Sequence, residues 1–199
     1  MYNLFQFCGF LYLFIILSIH LLKEGPEESI KSIYSSISYL VKFLHLFQLF
    51  EVLHPLFGIT KGTALMPAIQ LFGRCFFIFG LINLQVQIQR DVYTFYLFFV
   101  YAFAEICRYP YYMLHVFRAN IRAVTWLRYS AWIILYPVGF LCENMIIYKS
   151  IPLAEKSGLM TVSMPNAWNF AFYFPDFMRF YLYFATFFCK FIVHGYFCF

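Results

Sequence analysis

The stretch LFQFCGFLYLFIILSIHLL, residues 4–22, contains no Asp, Glu, Lys or Arg. A helix crossing the hydrocarbon core of a bilayer needs ~20 predominantly apolar residues, and this run supplies them. It lacks the basic leading region and small-residue cleavage site of a secretory signal, so it reads as a retained span. The rest of the chain extends the same pattern. Of 199 residues, 63% are apolar and 12% charged, whereas about a quarter of the residues in an ordinary soluble domain carry charge. Much of the chain therefore has lipid as its solvent.

Five further apolar runs cover residues 33–57, 65–84, 92–117, 124–148 and 174–199. Polar or Gly/Pro breaks separate them at 23–31, 58–63, 85–91, 118–122 and 149–169. Strands of a membrane barrel alternate apolar and polar over ~10 residues, and these runs are longer and apolar on nearly all sides. The expected fold is all-α, a polytopic membrane helical bundle of about six transmembrane helices forming a single domain over 1–199. An even number of spans puts both termini on one side. Lysine and arginine are spread over loops of both parities, so charge counting leaves the orientation open. Both ends are close to the outer spans, and truncation at each end is expected.

The net charge of +5 comes from scattered residues, without the clustered Lys and Arg of a nucleic-acid footprint. Cys8, Cys75, Cys107, Cys142, Cys189 and Cys198 lie singly in or beside apolar runs, and read as small buried apolar residues. Motifs for dinucleotide, phosphate and zinc-protease chemistry are absent, as is the C-x5-R of cysteine phosphatases. His45, Gln48, Glu51 and His54 lack a fourth metal ligand, which favours hydrogen bonding inside the bundle over metal binding.

Ionisable groups at membrane depth are costly and so are functional hypotheses by default. Here they are Glu51, Arg74, Glu105, Arg108, Glu143 and Arg179. Glu105, Arg108, Tyr109 and Tyr112 stand at i, i+3, i+4 and i+7, on one helical face that is expected to look inward. An internal Glu105–Arg108 ion pair and direct substrate contact are both open readings of that face. In the fifth run Tyr129, Tyr136 and Glu143 recur every seven residues and share a stripe. Pro137 follows Tyr136 and removes a helical N–H, which tends to kink the helix before the carboxylate.

The segments EVLHPLFGI (51–59), PAIQLFGR (67–74), AEICRYPYYML (104–114), WLRYSAWIILYPVGFLCE (126–143) and IYKSIP (147–152) resemble the very-long-chain 3-hydroxyacyl-CoA dehydratase family, also called protein-tyrosine-phosphatase-like A. Its most specific element is L-Y-P-x-G-x-x-x-E, matched by Leu135, Tyr136, Pro137, Gly139 and Glu143. The opening YNLFQFCGF and the segment TWLRYSAWIILYPVG look closest to members with an N-terminal p23-like domain.

The resemblance implies a multi-pass hydro-lyase of the endoplasmic reticulum membrane, acting in fatty-acid elongation. It would remove water from 3-hydroxyacyl-CoA to give trans-2-enoyl-CoA without redox cofactor or metal. Tyr136 and Glu143 match the family's catalytic pair, with Arg74, Glu105, Arg108, Tyr109 and Tyr129 as supporting or substrate-binding residues. Arg74 or Arg108 is the expected partner that keeps Glu143 ionised. The implied partners are membrane lipid, the elongase, the 3-ketoacyl-CoA reductase and the enoyl-CoA reductase. Two other classes stay open: a catalytically silent adaptor of those enzymes, and a small transporter whose mid-span charges line a path.

Overall fold

A computed structural model describes residues 1–59, 63–117, 119, 121–162 and 171–197, with side chains up to 187. Lys61, Arg118, Cys198 and the side chain of Cys189 lie outside the described residues. The chain divides into two compact units, Met1–Cys142 and Glu143–Phe199.

In the first unit α1 (Tyr2–Phe47) contains a reversal at Gly25, whose φ is 76° and ψ 170°. Glycine accepts positive φ without steric cost, and Pro26 has the fixed φ that suits the first position of a new helix. Glu27 and Glu28 follow, where carboxylates meet the positive end of the helix dipole. The break expected over 23–31 therefore contracts to Gly25, because these charged residues start a helix instead of forming a loop.

The arms 2–24 and 26–47 pack antiparallel. Ser29 Oγ donates to the His20 carbonyl at 2.7 Å, and Phe5 lies on Phe43 and Phe47. Buried Gln6, Phe10, Leu13 and Leu17 face buried Ile37, Val41 and Leu44. Gly9 lets the arms approach so closely that a Cβ there would overlap the end of Leu44, which is itself fully enclosed. Gly9→Val should lower stability by about 1–3 kcal/mol, the usual cost of overpacking. A thermal midpoint in detergent equal to that of the unsubstituted protein would show that the arms can separate freely.

After Gln48 the chain continues as α2 (Leu49–Leu56). α3 (Leu65–Cys75) passes into a π-helix, Phe76–Ile82, and a short α4 (Val86–Gln89) leads to α5 (Val92–Val116). The Asp91 side chain caps α5 by accepting from the Tyr93 N–H at 3.0 Å, one of the donors that a helix start leaves unpaired. α5 packs mainly on α1, through Phe14 on Phe99, Tyr34 on Phe98 and Phe10 on Tyr109. α6 (Arg122–Ser157) begins in this unit, where Gly139 brings it to within van der Waals reach of Val100 on α5.

The second unit holds the remainder of α6 and α7 (Phe174–Phe197). Ile146, Ile147, Ser150 and Ala154 form a buried stripe along α6. The fifth run was expected to end at residue 148, yet its helix continues to Ser157. Lys149 and Lys156 do not stop it, since the stop signal is Gly158. That residue takes φ 64° and donates its N–H to the Ala154 carbonyl at 2.9 Å, a left-handed helix cap. Val162 and Phe172 then form an antiparallel bridge, and Arg179 pairs with Asp176 at 2.6 Å and with Glu155.

The architecture is an all-α membrane bundle. Among the described residues three helical stretches are long and apolar enough to cross a bilayer: Tyr2–Leu56, Leu65–Ile82 and Arg122–Ser157. α5 and α7 are diluted by tyrosines and charged residues. Large apolar side chains such as Tyr39, Phe72, Ile134 and Phe180 are exposed on the outer surface, as lipid solvation requires. Cys107 and Cys142 are buried as expected and Cys75 half so, but Cys8 is exposed because it lies on the face of α1 opposite Gln6 and Phe10.

Candidate functional site

The inward face of α5 has the spacing expected of it: Glu105, Arg108 and Tyr109 are buried among α1, α2 and α3. Arg108 uses its whole guanidinium. Nε lies 2.8 Å from Glu105 Oε2, Nη2 donates to both oxygens of Glu51 at 2.9 Å, and Nη1 reaches Gln70 Oε1 at 3.4 Å. Arg74 Nη1 pairs with Glu105 Oε1, and its guanidinium lies over the Tyr101 ring, 4.8 Å from the centroid. Two carboxylates and two guanidiniums thus alternate in one connected set. Burial of such charges is tolerable only with this degree of pairing and hydrogen bonding.

Glu51 closes the set with hydroxyl donors. Tyr109 donates to Oε1 at 2.6 Å and Tyr2 to the same atom at 3.2 Å. Behind them Gln48 Nε2 donates to the Tyr109 oxygen at 3.1 Å, and Gln6 Nε2 to the Tyr2 oxygen at 3.2 Å. His45 sits beside the set with Nδ1 2.8 Å from the Val41 carbonyl, a hydrogen-bonding role inside the bundle, and the His54 ring packs edge-on against Tyr2. A small pocket opens onto Gln48, Glu51, Gln70, Arg74 and Arg108, with Pro67 and Leu71 as its apolar wall.

The structure therefore gathers Arg74, Glu105, Arg108 and Tyr109, and adds Glu51. Both guanidiniums are engaged by Glu105 and Glu51. Tyr129 lies elsewhere in the unit, 64% exposed, with its ring edge-on to Tyr111. Tyr136 is 49% exposed and packs on Trp132 with centroids 5.0 Å apart. Glu143 is the first residue of the second unit, and α6 carries both Tyr136 and Glu143.

Sequence reasoning missed Tyr2, Gln6 and Gln70. The available signals were slight: Gln6 is one of few polar residues in a charge-free run, and Gln70 precedes Arg74 by one helical turn.

A family model described as protein tyrosine phosphatase-like protein, PTPLA, matches residues 45–196. A Gallus gallus protein named very-long-chain (3R)-3-hydroxyacyl-CoA dehydratase is 34% identical over 182 residues, 92% of this chain and 50% of that protein. Its Danio rerio counterpart of the same name is 33% identical over 183 residues, 92% of this chain and 50% of its own length. A Mus musculus protein named very-long-chain (3R)-3-hydroxyacyl-CoA dehydratase 1 is 31% identical over 171 residues, 86% of this chain and 60% of that protein. The chain spans about half the length of the first two relatives. No solved structure matches it.

Proposed function

The chain belongs to the protein tyrosine phosphatase-like family, PTPLA, and on that premise we propose that it is a 3-hydroxyacyl-CoA dehydratase of very-long-chain fatty-acid elongation. The observation that carries this reading is the stretch Leu135–Tyr136–Pro137 with Gly139 and Glu143, on a helix that includes both the tyrosine and the carboxylate. Elimination of water needs a base for the C2 proton and an acid for the departing C3 hydroxyl. We assign Glu143 as the base and Tyr136 as the acid. Glu143 takes the proton as the C2 electron pair becomes the new double bond, and the hydroxyl leaves as water with the proton of Tyr136. Transfer of one proton from Glu143 back to Tyr136 restores the starting state. The reaction needs no redox cofactor and no metal.

An acyl chain too apolar for water fits a protein whose outer helix faces are apolar, with the CoA head kept in the aqueous phase. The same reading places the protein in the endoplasmic reticulum membrane, beside the elongase that supplies its precursors and the two reductases of the cycle. Acyl-CoA is then met on the cytosolic side, with both termini cytosolic. Engineered glycosylation sites test this: a site beside Gly25 should be modified and one beside Arg122 should not, and the reverse pattern would overturn the orientation. The decisive experiment is a dehydratase assay of the purified protein with 3-hydroxyacyl-CoAs of several chain lengths. Formation of trans-2-enoyl-CoA is expected, and its absence at every length would remove the enzyme reading.

A further inference from the structure

The pocket beside Glu51 and Arg108 is not used by the Tyr136 and Glu143 chemistry, and its composition specifies a ligand. The charges around it cancel: Glu51 and Glu105 offset Arg74 and Arg108 through direct pairing. A phosphate would find no net positive field there. The pocket is also far too small for a nucleotide: its interior has room for about one water-sized group, so a larger ligand meets these residues at its open mouth.

Two carboxamides supply the recognition. Arg108 can only donate, so its contact fixes Gln70 Oε1 as the acceptor and leaves the Gln70 N–H groups for another partner. Gln48 Nε2 is engaged with the Tyr109 oxygen, which leaves Gln48 Oε1 to accept. The pocket thus offers one neutral donor and one neutral acceptor beside the apolar surface of Pro67 and Leu71. That set complements a secondary amide, whose carbonyl accepts from Gln70 and whose N–H donates to Gln48.

We propose that the mouth of this pocket holds an amide of the pantetheine arm of the acyl thioester, so that the substrate is gripped between its acyl chain and its nucleotide. The inference rests on the dehydratase reading. Gln70 is exposed on α3, so Gln70→Leu removes the donor, and the acceptor of Arg108 Nη1 with it, while keeping the ion pairs with Glu51 and Glu105. The purified full chain would be given the same 3-hydroxyacyl group as its pantetheine thioester and as the thioester of an oligoether thiol, which has no amide.

The ratio of kcat/KM for the pantetheine substrate over the oligoether substrate should fall about 5–10-fold in Gln70→Leu, the value of one neutral hydrogen bond. An unchanged ratio would overturn the proposal. A larger loss with the CoA thioester than with the pantetheine thioester would overturn it too, because the phosphates would then be the group recognised. If the unsubstituted protein turns over none of the thioesters, the CoA thioester included, the dehydratase reading fails by itself. Calorimetric binding of an unreactive S-alkyl pantetheine thioether then decides the pocket: about 5–10-fold weaker binding to Gln70→Leu supports it, and equal affinity ends it.

Discussion

Tyr136→Phe and Glu143→Gln should each lower dehydratase turnover by about 10²-fold or more, the scale of positioned acid–base catalysis, with a smaller change in substrate binding. The two substitutions differ in what they remove. Phenylalanine keeps the ring that packs on Trp132 and deletes only the acidic hydroxyl, while glutamine keeps the shape of the carboxylate and deletes its basicity. Both groups act on one elimination, so the double substitution should be far less damaging than the product of the two single effects, as for residues that function as a unit. Near-normal turnover by either well-folded single variant would sink the assignment and return the adaptor reading to the front.

The second large effect is on stability. Arg108→Leu strips the guanidinium from Glu51, Glu105 and Gln70 together, leaving Glu105 with Arg74 and Glu51 with hydroxyl donors alone. Removing one partner of a buried ion pair costs about 3–5 kcal/mol. For a chain of this size that is a fall of roughly 6–20 °C in thermal midpoint. Glu105→Gln should behave similarly, since it leaves Arg74 and Arg108 facing an amide. The charge-balanced double substitution Glu51→Gln with Arg108→Leu should be milder than Arg108→Leu alone, because no carboxylate is then left without its cation. Thermal unfolding in detergent measures all of these. If Glu105→Gln left midpoint, expression and turnover untouched, the network would not support the bundle at all.

The helices were legible in the sequence because apolar run length is a local property, and among the described residues each of the six runs is mostly helical. Their boundaries were less so. Charged residues in the breaks 23–31 and 149–169 suggested loops, whereas helices begin readily with Pro26, Glu27 and Glu28 and continue through Lys149 until Gly158 stops them. The π-helix at Phe76–Ile82 had no visible signature, since FFIFGLI is equally compatible with ordinary α-helix.

In the site, the spacing of Glu105 and Arg108 foretold an inward face. It could not foretell Glu51 as a second partner, nor Tyr2, because those contacts join residues 57 and 49 positions apart and depend on how α1 folds back at Gly25. Tyr136 and Glu143 are proposed on motif resemblance and seven-residue spacing, to which packing contributes nothing.

That separation along the chain also sets a timetable for biosynthesis. Glu51 emerges from the ribosome 57 residues ahead of Arg108, and at ~5–20 residues per second the delay is roughly 3–11 s. During that interval the nascent segment carries a carboxylate without its guanidinium, at a cost of about 2.5–3.5 kcal/mol if it enters the hydrocarbon. Burial of the α2 segment that carries Glu51 is therefore favoured once α5 brings Arg108 to it. Chains stalled between Glu51 and Arg108 are the ones that quality-control machinery would meet half-inserted.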